Sequence, residues 1–202
     1  GIDIYGNVLE PSIIDQFEMG VKTDLIKGYL SANLTVYRIV NNNLAQTARF
    51  TADGQENTNP SIKALAGQTT SDGIEVDIHS NPVKGLTLLA GYSHNYMRYT
   101  NIEFLKGNFV QGERLVNTPS HTGNASAFYT FSNTAMKGLK LGASVFYIGK
   151  RFGGWNNTVV EPTTGEITDR LIEVKGFTTV DLSAGYCFGK VSVLAKLANV
   201  GN

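Results

Sequence analysis

Residues 117–150, NTPSHTGNASAFYTFSNTAMKGLKLGASVFYIGK, show most clearly the pattern that the rest of the chain repeats. This stretch predicts two long strands joined by a turn at residues 132–137. Because side chains alternate between the two faces of a strand, the second strand has one apolar face, formed by Leu139, Leu141, Ala143, Val145 and Tyr147. The other face is mostly small or polar. At about 3.4 Å per residue this strand reaches about 35 Å, which is long for a soluble protein and close to what a tilted strand needs to cross a bilayer.

The same alternation predicts six further strands, so that the whole chain has eight. They cover approximately residues 14–24, 29–41, 69–80, 86–98, 177–186 and 191–198. Connections of about four to six residues alternate with connections of 20 or more, and the first long connection contains a predicted helical turn at Ser61 to Ala66. This predicts an antiparallel up-and-down meander with all short turns at one end and all long loops at the other, as is usual in transmembrane β-barrels.

Aromatic residues fall into two bands, as expected for two membrane interfaces. The band at the short-turn end comprises Tyr29, Tyr129, Phe131, Tyr186 and Phe188, and the band towards the long loops comprises Tyr37, Tyr92, Tyr96 and Tyr147. The polar faces carry charges that suit a wet lumen better than a packed core, namely Glu18, Lys22, Glu75, Asp77, Lys140, Asp181 and Lys196.

Composition narrows the function classes. The 202 residues contain 17 Lys+Arg and 17 Asp+Glu, and this zero net charge argues against nucleic acid or an anionic membrane surface as the main partner. The sequence contains no run of 18 apolar residues, so it predicts no transmembrane helix. The first residues lack the features of a signal peptide, which we expect to be missing or already removed. The single cysteine, Cys187, cannot form an internal disulfide, so cysteine usage does not indicate the cellular compartment.

Two other architectures are compatible with alternating strands. One is a soluble β-sandwich or jelly roll that acts as a carbohydrate-binding, ligand-binding or adhesin-like module. The other is an eight-stranded membrane barrel that is complete in itself. Strand length, loop asymmetry and the two aromatic bands favour a transmembrane barrel over the sandwich.

Seven segments, in order along the chain, resemble the C-terminal barrel region of TonB-dependent outer-membrane receptors of the siderophore type. They are residues 15–22 (DQFEMGVK), 71–77 (SDGIEVD), 82–93 (PVKGLTLLAGYS), 117–122 (NTPSHT), 147–152 (YIGKRF), 176–181 (GFTTVD) and 197–200 (LANV). The resemblance implies a barrel of about 22 strands filled by an N-terminal plug. Residues 1–202 then correspond to a C-terminal segment of that barrel, without the plug and the final strand.

The resemblance also implies a function, which is TonB-dependent uptake of a ferric siderophore or similar scarce metal chelate in the outer membrane of a Gram-negative bacterium. Close variants are receptors for glycans, cobalamin or another metal chelate. The implied partners are the chelate, membrane lipid and lipopolysaccharide, and the TonB complex, which would act through an N-terminal part. No enzymatic activity and no cofactor are expected.

The residues themselves show no catalytic arrangement. The three histidines, His79, His94 and His121, lie on different strands and do not predict a metal site. Arginine and aromatic side chains in the long loops suit an anionic, partly aromatic iron chelate. The predicted cargo contacts are Tyr99, Arg114, His121, Arg151, Trp155 and Arg170. Of these, His121 lies where a long loop is expected to re-enter the barrel wall. Asn95 and Tyr37, which face the lumen, are equal candidates.

Overall fold

The computed structural model describes residues 1–48, 50–65, 67–101, 111–132, 135–155 and 171–201. In chain order its strands are β1 (Ile13–Ile26), β2 (Leu30–Asn42), β3 (Ala45–Thr47), β4 (Lys63–Leu65), β5 (Gln68–Ser80), β6 (Leu86–Asn101), β7 (His121–Thr130), β8 (Leu139–Ile148), β9 (Arg151–Trp155), β10 (Leu171–Val174), β11 (Phe177–Phe188) and β12 (Val191–Leu197). These described residues include no helix that is long and apolar enough to cross a membrane.

The eight long strands form one sheet in the order β1-β2-β5-β6-β7-β8-β11-β12. This confirms the predicted meander, because each long strand lies beside the next long strand of the chain. A single sheet is also not the pair of packed sheets that defines a sandwich. Over the described residues β1 and β12 are the two edges and no ladder joins them, so the sheet is open and not a closed eight-stranded barrel.

The four short strands were not predicted. They form two-stranded ribbons, β3 with β4 and β9 with β10, within two of the long connections. The predicted helical turn at Ser61 to Ala66 is wrong, because Lys63 pairs with Thr47 and Leu65 pairs with Ala45 in the first ribbon. Pairing with a distant segment overrides the weak local preference for a helical turn.

The opening stretch forms the β7–β8 hairpin, although its first strand begins at His121 and not at Asn117. Asn117 has a φ of 60°, a left-handed conformation that does not continue a strand. The short turn before β6 also depends on a left-handed residue. Gly85 has a φ of 88°, and an added Cβ would lie 2.5 Å from the carbonyl oxygen of Thr130. Only glycine fits this position without strain.

The chain divides into two compact units. The first unit comprises Gly1–Glu18, Tyr37–Gly73 and Asn95–Thr118, and the second comprises Met19–Val36, Ile74–His94 and Pro119–Asn202. In the second unit the strand registers align apolar residues across five strands. One such row runs through directly paired positions, namely Leu88, Ala127, Ala143, Leu182 and Leu197.

This apolar face of the second unit is uncovered. Leu182 is 43% exposed and Leu197 is 61% exposed. Tyr129 and Leu141, one row nearer the short turns, are also exposed. A contiguous exposed apolar surface of this kind is typical of a protein that faces lipid or a partner.

The opposite face of the same strands is polar and internally paired. Ser126 Oγ donates to Ser144 Oγ over 2.8 Å. Lys196 Nζ lies 2.8 Å from Asp181 Oδ2, which is the cross-strand pairing of carboxylate and lysine expected for a wet lumen. Phe128 is an apolar residue on this face, and its ring lies across Gly142, where an added Cβ would be 2.5 Å from the ring.

An arginine placed in the middle of the apolar face tests whether that face meets lipid. We expect Ala143→Arg to lower the free energy of unfolding of the barrel by roughly 2–4 kcal/mol, because a guanidinium would replace a methyl group near the bilayer midplane. The measurement is denaturant unfolding of the protein in lipid vesicles. Ser144→Arg, the adjacent residue on the polar face, is the matched control. Equal costs for the two variants would show that the apolar face does not meet lipid.

Candidate functional site

A group of charged and aromatic side chains lies at the long-loop end of the sheet, within the first unit. We call Arg38, Asp72, Tyr96, Arg98 and Arg114 the arginine cluster. Asp72 joins three neighbouring strands, since its Oδ1 lies 2.6 Å from Arg38 Nε on β2 and its Oδ2 lies 2.8 Å from Arg98 Nη1 on β6. One carboxylate thus orients two guanidinium groups.

The ring of Tyr96 supports the same cations. The guanidinium carbons of Arg98 and Arg114 each lie 4.8 Å from the centre of the Tyr96 ring, a cation–π distance. Arg114 Nη2 also donates to the backbone carbonyl of Asn95 over 2.7 Å. Partial burial lowers the pKa of the Arg114 guanidinium. The cluster therefore holds three cations against one carboxylate.

The charges of the arginine cluster continue the side-chain alternation of their own strands. Successive residues of a strand alternate, so Asp72 on β5 falls on the same face as Ile74, Val76 and Ile78. Arg38 on β2 likewise follows Leu34 and Val36 on their face. On β6, Tyr96 and Arg98 follow Ala90 and Tyr92. On three adjacent strands the apolar stripe thus changes to charge at the long-loop end.

The opposite face of the first unit is polar. Ser71 Oγ donates to Asn95 Oδ1 over 2.7 Å. The ring of Tyr37 lies across Gly73, so closely that an added Cβ would overlap it. Tyr99 is buried, with 3% of its surface exposed. The predicted position of Asn95 and Tyr37 on the lumen face agrees with these contacts.

The polar face of the second unit contains a groove of about 520 Å³. Its polar lining residues are Lys22, Ser31, Asn33, Asp77, His79 and Asn124. Gly91 creates part of this space, because an added Cβ would lie 2.8 Å from Asn124 Nδ2 and 3.2 Å from Asp77 Oδ1. The groove offers both hydrogen-bond donors and acceptors to anything that occupies the lumen.

Two of the three histidines, which lie on different strands as predicted, meet in the second unit. His94 and His121 are directly paired on β6 and β7, and their Nδ1 atoms are 3.3 Å apart. The Tyr92 hydroxyl lies 2.7 Å from His121 Nδ1. Within the described ranges no three His, Cys, Asp or Glu side chains are grouped so that they hold a metal ion.

The structure does not bring the six predicted cargo residues together. Tyr99 is buried, Arg114 belongs to the arginine cluster, and His121 lies beside Tyr92 and His94. Arg151 begins β9 with a buried Nη1 that has no hydrogen-bond partner among the described residues, and Trp155 ends β9. Arg170 lies outside the described residues. Their contact with cargo stays a prediction.

Sequence reasoning missed Arg38, Asp72 and Arg98 as a group. The signal was present, because each of these charges interrupts an otherwise apolar alternation near the long-loop end of its strand. Their grouping required the strand register, which joins residues 34 and 26 positions apart in the chain.

The family profile described as TonB dependent receptor-like, beta-barrel, matches residues 1–200. The chain belongs to this family. The metal-pseudopaline receptor CntO of Pseudomonas aeruginosa is 29% identical over 202 residues, which cover 100% of this chain and 25% of that receptor. The ferrioxamine B receptor of Salmonella typhimurium is 29% identical over 205 residues, with 99% and 25% covered. The chain thus spans about a quarter of the length of these curated relatives.

Two solved structures show the same fold. The FrpB iron transporter from Neisseria meningitidis superposes with a TM-score of 0.69 at 19% identity, covering 98% of this chain and 28% of that one. The ferripyoverdine receptor of the Pseudomonas aeruginosa outer membrane, bound to ferripyoverdine, gives a TM-score of 0.68 at 21% identity, with 98% and 24% covered. The open sheet is therefore wall of a TonB-dependent receptor barrel in a Gram-negative outer membrane, and the soluble sandwich is wrong.

The contact between Tyr37 and Gly73 gives a test of the lumen face. We expect Gly73→Val to lower the free energy of unfolding by about 1–3 kcal/mol, because the new side chain displaces the Tyr37 ring. Denaturant unfolding of the receptor in detergent or lipid measures this cost.

Gly123→Val is the matched control, since an added Cβ there meets only the Gly91 carbonyl oxygen at 3.6 Å. The cost of Gly73→Val should fall by at least about half in a Tyr37→Ala background, where the obstructing ring is absent. An unchanged cost in that background would show that the ring is not what the valine displaces.

Proposed function

We propose that this chain is part of a receptor that takes up a ferric siderophore, or a similar scarce metal chelate, across the outer membrane with energy from the TonB complex. The observation that carries the proposal is the match of residues 1–200 to the family, together with two relatives that are named as receptors for metal-pseudopaline and ferrioxamine B. The relatives are named as receptors, and the proposal assigns no catalysis to the chain.

Within that receptor we propose that the chain is a C-terminal part of the barrel wall. Every residue of the edge strands β1 and β12 is exposed. An exposed edge presents unpaired backbone groups, which a membrane cannot satisfy. This supports a barrel in which further strands of the same receptor pair with both edges. Contact with the TonB complex belongs in this scheme to the N-terminal part of the receptor.

The chemistry of the chain suits an anionic chelate. Arg151 on β9 provides a guanidinium group for such a cargo at the long-loop end, and Trp155 and Arg170 are further candidates from the same connection in the sequence. Tyr99, Arg114 and His121 complete the proposed set. The lumen face adds the groove of the second unit, where Lys22 supplies a cation beside the amides of Asn33 and Asn124. The exposed apolar face contacts membrane lipid.

Deletion of the gene tests the proposed function. We expect the deletion strain to lose uptake of radioactive iron, or another metal, presented as one class of chelate, and the intact gene to restore it. A protonophore should abolish the restored uptake, because TonB transmits energy from the inner membrane. One result would contradict the metal-chelate assignment. In that result the deletion strain takes up hydroxamate, catecholate and carboxylate chelates unchanged but is defective in glycan or cobalamin uptake.

A pair of charge variants locates the cargo contact. We expect Arg151→Gln to raise the chelate concentration that gives half-maximal uptake about tenfold, the loss of one charge-assisted hydrogen bond. Lys190→Gln, which removes a cation at a short turn, is the control and should leave uptake unchanged. The amount of receptor in the outer membrane is measured alongside. Equal effects of the two variants would contradict a contact at the long-loop end.

A further inference from the structure

Three electron-pair donors come together in the second unit, at the long-loop ends of β6 and β7. They are the side chains of Tyr92, His94 and His121, which we call the histidine site. His94 and His121 are directly paired, with ring centroids 4.7 Å apart. His121 Nδ1 lies 3.3 Å from His94 Nδ1 and 2.7 Å from the Tyr92 hydroxyl oxygen. All three residues belong to the same compact unit.

Hydrogen bonding alone does not satisfy these atoms. A ring nitrogen of histidine either donates one proton or accepts at one lone pair. Both contacts of the histidine site fall on a single nitrogen, His121 Nδ1. Whichever of the two partners this nitrogen bonds, the other partner is left without a complementary group there. A cation that accepts lone pairs from all three atoms removes this competition.

The spacing of the two ring nitrogens matches the coordination sphere of a zinc ion. Zn–N bonds of about 2.0–2.1 Å at a tetrahedral angle place two ligand nitrogens about 3.3–3.4 Å apart. The Nδ1 atoms of His94 and His121 are 3.3 Å apart. Imidazole is a preferred ligand of Zn²⁺, Ni²⁺ and Cu²⁺, whereas Mg²⁺ and Ca²⁺ prefer oxygen. Two nitrogens and one phenol oxygen therefore favour a divalent transition metal ion.

Glycines beside the histidine site leave space for an ion and its water. Gly123, which pairs with Tyr92, has no side chain, and an added Cβ there meets only the Gly91 carbonyl oxygen at 3.6 Å. Gly149 donates its backbone N–H to the His121 carbonyl over 2.8 Å. An added Cβ on Gly149 would lie 3.3 Å from the Cβ of His121. Tyr92 is exposed, so the site is open on that side.

We propose that Tyr92, His94 and His121 bind one divalent transition metal ion, best matched by Zn²⁺, directly and not as a chelate. The ion joins β6 to the first residue of β7, and water completes its coordination. Alternation along β6 places it on the face of Leu88 and Ala90, opposite the polar face over which cargo passes. It acts as a clamp between two strands, because a metal that binds only the folded state stabilises that state.

The test uses the complete receptor, purified in detergent, stripped of metal and free of chelate. Calorimetric titration with Zn²⁺ gives the number of bound ions and their affinity. We expect His94→Gln/His121→Gln to bind one zinc ion fewer than the unaltered receptor. His94→Gln alone should weaken this ion's binding at least about tenfold, because loss of a mere outer partner of a ligand already costs about 10- to 100-fold. Tyr92→Phe, which removes only the oxygen, should weaken it less.

The matched control is His79→Gln, which makes the same substitution on the polar face of the same unit. It should leave the number of bound zinc ions unchanged and their affinity within about twofold. An equal loss in this control, or no loss in His94→Gln/His121→Gln, would overturn the histidine site. Binding of Mg²⁺ as tight as that of Zn²⁺ would overturn the assignment to a transition metal.

Denaturant unfolding shows whether each variant is folded and also tests the clamp. Zn²⁺ should raise the midpoint denaturant concentration of the unaltered receptor more than that of His94→Gln/His121→Gln. Equal shifts would show that the ion does not join the two strands. His121 also belongs to the proposed cargo contacts. Because no chelate is present in these measurements, a receptor with a different cargo gives the same result for zinc.

Discussion

The structure depends on one constraint, which is that every backbone N–H and C=O group of a strand in lipid must find its partner on a neighbouring strand. The eight long strands meet this constraint through one continuous antiparallel sheet. Because strands present their side chains alternately to two faces, the same sheet separates an apolar surface from a polar one. That alternation has two visible outcomes. The apolar row passes through Ala143 and Leu182, and the ion pair of Asp181 with Lys196 lies on the opposite face.

The ends of the strands carry residue types that are expected at a membrane interface. At the short-turn end, aromatic rings contact each other, with Tyr129 and Phe131 at 4.8 Å and Tyr186 and Phe188 at 4.5 Å between centroids. At the long-loop end the apolar stripe changes to the arginine cluster. Tyr37 lies against Gly73 on the lumen face, as predicted for a lumen-facing residue, so it is not part of the lipid-facing aromatic band near the long loops. The same alternation thus separates aromatic residues of a membrane-facing belt from an aromatic contact in the lumen.

Local patterns predict the long strands well because alternation and turn residues are encoded within each segment. The strand predicted at residues 69–80 is Gln68–Ser80, and the one predicted at 177–186 is Phe177–Phe188. The β3–β4 ribbon was missed, and a helical turn was wrongly predicted there, because its pairing is not local. The arginine cluster was missed for the same reason, whereas the polar lumen face followed directly from the charges on alternate residues. The structure does not bring the predicted cargo residues of the loops together. The sequence could not predict their positions, because no local pattern fixes the conformation of a loop.

The most direct test of a wall with one lipid face and one aqueous face is a nitroxide scan along β8, with one spin label at each position from Leu139 to Ile148, in a Cys187→Ser background in lipid vesicles. Collisions with oxygen, which concentrates in lipid, and with a water-soluble nickel chelate report the environment of each position. We predict that oxygen accessibility peaks at Leu141, Ala143 and Val145 and that nickel accessibility peaks at the residues between them. Equal accessibility at successive positions would contradict the two-faced wall.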